Sequence, residues 1–128
     1  MIMNFEIAIP TYKRQGILLR KTLNLLKDVD KSLIKIYVED EEQFNLYKLV
    51  LDGYEIIITN TKGIGQKRNF ITERAYYDGL DCIVMIDDDI KSIINKDGLV
   101  LNSNDIINLI HQGYQQCLSS NARLFGIC

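Results

Sequence analysis

The stretch CIVMIDDD, residues 82–89, joins five apolar residues directly to three consecutive carboxylates. A short run rich in β-branched residues that ends at polar residues is typical of a strand buried on both faces. Runs of the same kind occur at residues 5–9, 34–38, 54–59 and 124–128. The sequence therefore predicts five short strands, each buried on both of its faces.

Segments with helical periodicity separate these runs. The apolar residues fall on one side of a helix at residues 17–27, 41–51, 67–78 and 105–118. Ser103 or Asn104 is the expected N-cap of the last helix. Alternating strands and helices predict an α/β fold, with a mainly parallel sheet, right-handed crossovers and helices on both faces.

One domain is expected to span residues 1–128, because no repeat and no linker rich in Pro or Ser interrupts the pattern. A chain of this size buries about two-thirds of its unfolded surface, which is enough for a core without disulfides. The last predicted strand reaches the final residue with nothing to cover it, so we expect the fold to be truncated at its C terminus.

Composition argues against several classes of protein. A hydrophobic content of 47% excludes intrinsic disorder, and a net charge of −2 argues against a general nucleic-acid scaffold. No apolar run approaches the length of a membrane span. A single His argues against a His-rich zinc site or a Ser-His nucleophile, and 3 Cys without paired spacing predict a reducing, cytoplasmic setting.

Cations, glycines and carboxylates follow the predicted strands. Because ligands bind beyond the carboxyl ends of parallel strands, these segments should converge on one site. They are Pro10, Thr11, Tyr12, Lys13 and Arg14 after the first strand, residues 39–42 after the second, residues 60–65 after the third, and Asp87, Asp88 and Asp89 after the fourth.

The triple aspartate is the most informative of these segments. Adjacent carboxylates about 6 Å apart repel by about 3 kcal/mol per pair at an effective dielectric constant near 20, so something should offset the repulsion. Mg²⁺ or Mn²⁺ would do so while completing its coordination with water and phosphates. The alternative is a solvated turn in which one aspartate caps a short helix at residues 90–95.

The segment KGIGQKRN, residues 62–69, combines glycines with cations at the start of a helix. Its free amides and basic side chains would suit a diphosphate. Taken alone, the segment fits a flexible loop before a basic surface helix nearly as well, because it matches neither a Walker A sequence nor the dinucleotide fingerprint.

The order of these pieces resembles the GT-A nucleotide-sugar glycosyltransferases of the family-2 kind. Residues 7–14 and the helix at 17–23 resemble the opening of that family. Residues 63–69, Ala75 and residues 79–89 resemble its basic helix and the strand that leads into an Asp-x-Asp motif. The resemblance covers most of residues 5–90.

The resemblance implies a transferase that binds a nucleoside-diphosphate sugar and uses Mn²⁺ or Mg²⁺ as cofactor. Pro10, Thr11 and Tyr12 would border the base and ribose, and Glu39 or Asp40 would contact the base. Asp87 would lie near the ribose, and Asp89 would hold the metal that bridges the phosphates. The implied nucleotide-sugar site comprises Pro10, Thr11, Tyr12, Arg14, Glu39, Gly63, Lys67, Arg68, Asn69, Asp87 and Asp88, and the implied metal ligands are Asp87 and Asp89.

The sequence assigns neither the catalytic base nor the acceptor. A missing C-terminal segment or a second copy in a homo-oligomer would have to supply the acceptor side. The chain is rich in Ile, Asn and Lys, a composition that suits an AT-rich genome such as that of a phage. Some phage enzymes resembling this family glycosylate modified DNA bases. A saccharide or lipid-linked acceptor is equally open. The alternatives to a glycosyltransferase are a nucleotidyltransferase of related fold and a non-catalytic nucleotide-binding remnant.

Overall fold

The computed structural model describes residues 3–121 and contains a four-stranded sheet, all of whose strands are parallel. The strands are β1 (Phe5–Pro10), β2 (Ile34–Val38), β3 (Glu55–Ile58) and β4 (Cys82–Met85), in the spatial order β3-β2-β1-β4. This arrangement confirms the predicted α/β class. The predicted strand at residues 124–128 lies outside the described residues.

Burial differs between the central and the outer strands. Every residue of β1 is buried, and so are all but one of those in β2. Strands β3 and β4 lie at the edges of the described sheet and are only half-buried. The prediction of burial on both faces is therefore correct for the two central strands and wrong for the two edge strands, since an edge strand has a neighbour on one side only.

Helices cover both faces of the sheet, as predicted. Ile7, Ile9 and Ile36 point to one face, where they pack against the helical residues Leu18 and Ile106. On the opposite face Ala8 and Tyr37 pack against Ile71. The helices are α1 (Gln15–Arg20), α2 (Thr22–Leu25), α3 (Glu41–Lys48), α4 (Gly63–Tyr77) and α5 (Ser103–Ser120), with a 3₁₀ turn at Lys31–Leu33.

The helix predicted at residues 17–27 is in fact two helices. Lys21 has φ −108° and ψ −89°, which separates α1 from α2. Directly after this break, Thr22 is completely buried and its hydroxyl contacts the segment that follows β4. Periodicity could not predict the break, because the partner of Thr22 lies 65 residues further along the chain.

Other boundaries also differ from the predictions, among them the end of α3 and the starts of α4 and α5. Helix α3 ends at Lys48, α4 begins at Gly63 rather than residue 67, and residues 90–95 form no helix but contribute Ile94 to an isolated bridge with Val100. Helix α5 is capped by Asn102 rather than Ser103 or Asn104. Asn102 and Asp105 form a reciprocal capping box, which satisfies two backbone amides at the helix start. No helix within residues 3–121 has the length and apolar character needed to cross a membrane.

A buried polar cluster fixes α4 on the sheet. The Tyr37 hydroxyl donates to Glu6 Oε2 at 2.6 Å and accepts a hydrogen bond from Arg74 at 2.8 Å. Arg74 also pairs with Glu6 Oε1 at 3.1 Å. Burial raises the pKa of the Tyr37 hydroxyl, and the Glu6 carboxylate raises it further, so the phenol stays protonated and can donate.

Replacing Arg74 by Met is expected to lower the free energy of unfolding by about 3 kcal/mol, because the nearly buried Glu6 carboxylate loses its cation. Urea denaturation measures the change. Arg20→Met, at an exposed position in α1, is the matched control and should change stability by less than about 0.5 kcal/mol. Equal stability of the two variants would contradict this account of how α4 is held.

Candidate functional site

The candidate site lies where the direction of strand addition reverses. Strands β2 and β3 are added on one side of β1, whereas β4 lies on the other. At such a switch point the loops after adjacent strands diverge and leave a crevice at the carboxyl edge. A cleft of about 420 Å³ occupies this position, lined by Pro10, Thr11, Tyr12, Arg14, Glu39, Gly63, Ile64, Lys67, Asp87, Asp88 and Asp89.

The first and third aspartates each pair with an arginine. Asp89 Oδ2 lies 3.1 Å from the Arg14 guanidinium, and Asp87 Oδ1 lies 3.3 Å from that of Arg68. All four side chains are roughly half-exposed. The carboxylate repulsion expected from the sequence is therefore offset in this structure by two cations from different elements, α4 and the loop after β1.

The middle aspartate also lies near an arginine, with Oδ1 3.6 Å from Arg14 Nε, but it is buried and has further partners. Asp88 is 7% exposed, and its Oδ2 accepts a hydrogen bond of 2.8 Å from the Thr11 hydroxyl. Since Thr11 donates its single proton there, the Tyr47 hydroxyl must donate to Thr11, at 2.6 Å. Tyr47 in turn accepts from the Arg14 amide at 3.1 Å. Asp88 thus anchors the segment after β4 to the loop after β1, while its two neighbours face the cleft.

A buried lysine on α4 contacts the segments that follow β1 and β2. The Lys67 side chain is 2% exposed, and its ammonium donates to the Thr11 carbonyl at 3.1 Å and lies 3.7 Å from Glu39 Oε1. It also lies 5.8 Å from the centre of the Tyr12 ring. Burial lowers the pKa of Lys67, and the Glu39 carboxylate opposes that shift.

The first turn of α4 closes the cleft on the far side. Gly63 has φ +79°, a conformation that a residue with a side chain would adopt only with strain. Its amide donates to Glu39 Oε1 at 2.8 Å, whereas the side chain of the N-cap residue, Lys62, makes no capping hydrogen bond. The glycine predicted to permit close backbone approach therefore also allows the chain to enter α4 beside Glu39.

Comparison with known proteins identifies the family. Residues 5–105 match the model of a family described as TET-Associated Glycosyltransferase. The chain belongs to this family. The matched segment includes all four strands and every residue that lines the cleft. Searches of curated proteins and of solved structures gave no match. The predicted glycosyltransferase is confirmed by the family match.

In this TET-associated glycosyltransferase, the cleft brings together most of the residues that the sequence singled out. Arg68 contacts the cleft through Asp87, whereas Asn69 is exposed on α4 and is not among the lining residues. Asp40, the alternative to Glu39, caps α3 by accepting from the Gln43 amide at 2.9 Å. Of these two acidic residues, only Glu39 lines the cleft.

Sequence reasoning did not single out four residues of the candidate site. Ile64 lines the cleft, Tyr47 and Thr22 hold its loops, and the buried Gln43 accepts from the Lys13 amide. Lys13 has φ +53°, and this contact holds it there. Tyr47 and Gln43 lie one turn apart on α3 and were hidden in a pattern that indicates only an amphipathic helix.

Two carboxylates at the cleft have the oxygen chemistry that a hard divalent cation prefers. Asp87 and Asp89 offer carboxylate oxygens at a half-exposed position, and each arginine engages one of them. Mg²⁺ commonly uses one or two protein carboxylates together with water and phosphate oxygens. Within residues 3–121 no group of three or more His, Cys, Asp or Glu side chains could hold a metal ion. A cation here would therefore depend on oxygens from a bound phosphate.

Proposed function

We propose that this chain binds a nucleoside-diphosphate sugar together with Mn²⁺ or Mg²⁺ and transfers the sugar to a hydroxyl acceptor, as GT-A enzymes of the family-2 kind do. The observation that carries the proposal is the pairing of Asp87 with Arg68 and of Asp89 with Arg14 at the sheet's switch point. These pairs place two potential metal ligands beside two potential phosphate ligands.

The charge in the cleft favours joint binding of metal and nucleotide. With Lys67 protonated, three cations face four carboxylates, so one negative charge is in excess; the groups are Arg14, Lys67, Arg68, Glu39, Asp87, Asp88 and Asp89. A diphosphate alone would meet net repulsion there. A divalent cation reverses the sign of the site, which would then attract the diphosphate.

The side chains have distinct roles in this proposal. Arg14 and Arg68 exchange their carboxylate partners for phosphate oxygens, which the planar guanidinium fits equally well. The half-exposed Tyr12 ring offers a stacking face for the base, and Lys67 beside it holds Glu39 in place. When bound, the divalent cation supplies neutralisation of the negative charge that develops on the departing nucleoside diphosphate.

For the acceptor, we propose a hydroxyl on a modified DNA base. The family's description associates it with TET, which supports this choice over a saccharide or a lipid-linked acceptor. The free thiols of Cys82 and Cys117 support a reducing, cytoplasmic setting.

Thermal unfolding with and without Mn²⁺ tests the donor site, using a panel of nucleoside diphosphates and nucleotide sugars. One nucleotide should raise the melting temperature only when metal is present, since a ligand at 100 times its dissociation constant adds about 2.7 kcal/mol. The same nucleotide's sugar conjugate should release a nucleoside diphosphate during turnover. Release of pyrophosphate would instead indicate a nucleotidyltransferase, and no shift with any nucleotide would overturn the proposal.

A further inference from the structure

The turn that carries the three aspartates is tied at both ends to one buried hydroxyl. Thr22 is completely buried at the start of α2. Its hydroxyl donates to the Asp87 carbonyl at 2.6 Å and accepts from the Ile90 amide at 2.9 Å. The side chain thus satisfies the first carbonyl and the last amide of residues 87–90, using the single donor of the hydroxyl and one of its two acceptor lone pairs.

This turn has little support from its own backbone. The last ladder contact of this part of the chain is the Ile86 amide with the Ala8 carbonyl, at 3.1 Å. Between residues 87 and 92 no well-formed hydrogen bond joins the backbone to that of another described residue, although residues 88 and 89 have the geometry of a turn. The Thr22 contacts therefore supplement a turn that is only weakly closed by its own backbone.

The contact also explains the break between α1 and α2. A continuous helix would keep position 22 in regular register, whereas the Lys21 dihedrals turn the chain just before Thr22. Threonine in mid-helix commonly bonds its own preceding turn, and here it bonds across the molecule instead. The interruption of the helix places a hydroxyl within hydrogen-bond distance of the Asp87 carbonyl.

We propose that Thr22 is a positioning residue, whose hydroxyl holds the 87–90 turn so that Asp87 and Asp89 face the cleft while Asp88 points inward. The expected effect of Thr22 on donor binding rests on the proposed function of the cleft. The structural part of the inference concerns the turn alone and can be tested without a ligand.

The structural part is tested by amide hydrogen exchange of the ligand-free chain. Thr22→Val keeps the shape of the side chain and removes the hydroxyl, so exchange of the Ile90 amide should accelerate by about tenfold or more. Thr22→Ser keeps the hydroxyl and should restore slow exchange. Thr22→Ala is the second variant in case the Val variant does not fold. Unchanged exchange at Ile90 in the hydroxyl-free variants would overturn the proposal.

Ser103→Ala is the matched control. The Ser103 hydroxyl is also buried and also joins a carbonyl to an amide, donating to Leu25 at 3.2 Å and accepting from Asp28 at 3.3 Å. It lies on α5 and bonds the C-terminal end of α2 and the residues after it, rather than the aspartate turn. This variant should lose stability without faster exchange at Ile90, which separates positioning from general loosening.

The functional part uses the nucleoside diphosphate of highest affinity from the panel, with Mn²⁺. Thr22→Val should bind it about tenfold more weakly, while Thr22→Ser and Ser103→Ala bind like the wild type. Wild-type affinity in Thr22→Val would overturn the positioning role even if its melting temperature falls. If the wild type binds no nucleotide, the proposed function fails, and the exchange experiment alone decides whether Thr22 holds the turn.

Discussion

Replacing Asp89 by alanine is expected to weaken Mn²⁺-dependent binding of the nucleoside diphosphate by about a hundredfold or more, because a ligand of the metal is lost. The fold should persist. The Asp89 side chain is 43% exposed and contacts only the half-exposed Arg14 by ion pairing, so stability should change by less than about 0.5 kcal/mol.

The same variant has the opposite expectation without metal. Removing the Asp89 carboxylate removes the shorter of the two ion pairs of Arg14, leaves its 3.6 Å contact with Asp88, and takes one negative charge from the cleft, so metal-free binding of the diphosphate should be equal to or tighter than in the wild type. Titration calorimetry with and without Mn²⁺ measures both effects. Asp52→Ala, which removes an exposed carboxylate outside the cleft, is the control. Equal loss with and without metal would show that Asp89 does not act through a cation.

Replacing Lys67 by methionine is expected to cost both stability and affinity. Methionine keeps most of the volume but leaves the Thr11 carbonyl without its donor and Glu39 without its cation. Loss of one partner from a buried ion pair typically lowers the free energy of unfolding by about 3 kcal/mol. Nucleotide affinity should fall by about tenfold or more, because Glu39 and Tyr12 both lose their contact with the ammonium. Urea denaturation and titration calorimetry measure the two effects.

Lys48→Met is the matched control, because Lys48 is exposed on α3 and contacts the face of the Phe44 ring rather than a buried acid. It should leave affinity unchanged. A Lys67→Met protein as stable as this control would contradict the view that the buried ammonium holds the cleft together.

The lowered pKa of Lys67 has a defined consequence at alkaline pH. The ammonium loses its proton below the ordinary lysine value of 10.5, so nucleotide affinity should decline with rising pH before that value is reached. Stability changes with pH in the direction opposite to affinity. Between the lowered pKa of Lys67 in the folded chain and its ordinary value in the unfolded chain, the unfolded chain binds more protons, so the contribution of Lys67 to stability rises with pH. The Lys67→Arg variant should lack this early decline in affinity. A variant whose affinity declines with pH as the wild type's does would contradict the prediction.

Much of the fold was predictable from local pattern. The run at residues 34–38 matches β2 residue for residue, and residues 82–86 exceed β4 by one residue. These predictions succeeded because strand formation here depends on apolar side chains that any arrangement of the sheet must bury. Half-burial of β3 and β4 was not predictable, since strand order is decided by which strands pair and not by their composition.

The sequence predicted which residues lie at the site but not which of them contact one another. Placing Thr11, Lys67 and the aspartates at one edge followed from the rule for parallel strands, and all of them line the cleft. Composition alone did not distinguish the three aspartates, although the family resemblance implied Asp87 and Asp89 as the metal ligands. The structure separates them by burial, because Asp88 is 7% exposed and accepts from the Thr11 hydroxyl as well as lying 3.6 Å from Arg14, while its neighbours form their ion pairs at the surface.

The sequence by itself determined the α/β class, the parallel strands and the edge at which charged residues gather, since these depend on periodicity and on the order of segments. Tertiary structure alone decided which charges pair, which aspartate is buried and where the first helix breaks. Those outcomes depend on partners 19 to 77 residues apart, such as Arg68 with Asp87, Thr22 with Asp87 and Thr11 with Asp88. Contacts over such separations are selected by the packing of the whole sheet, and no local pattern records them.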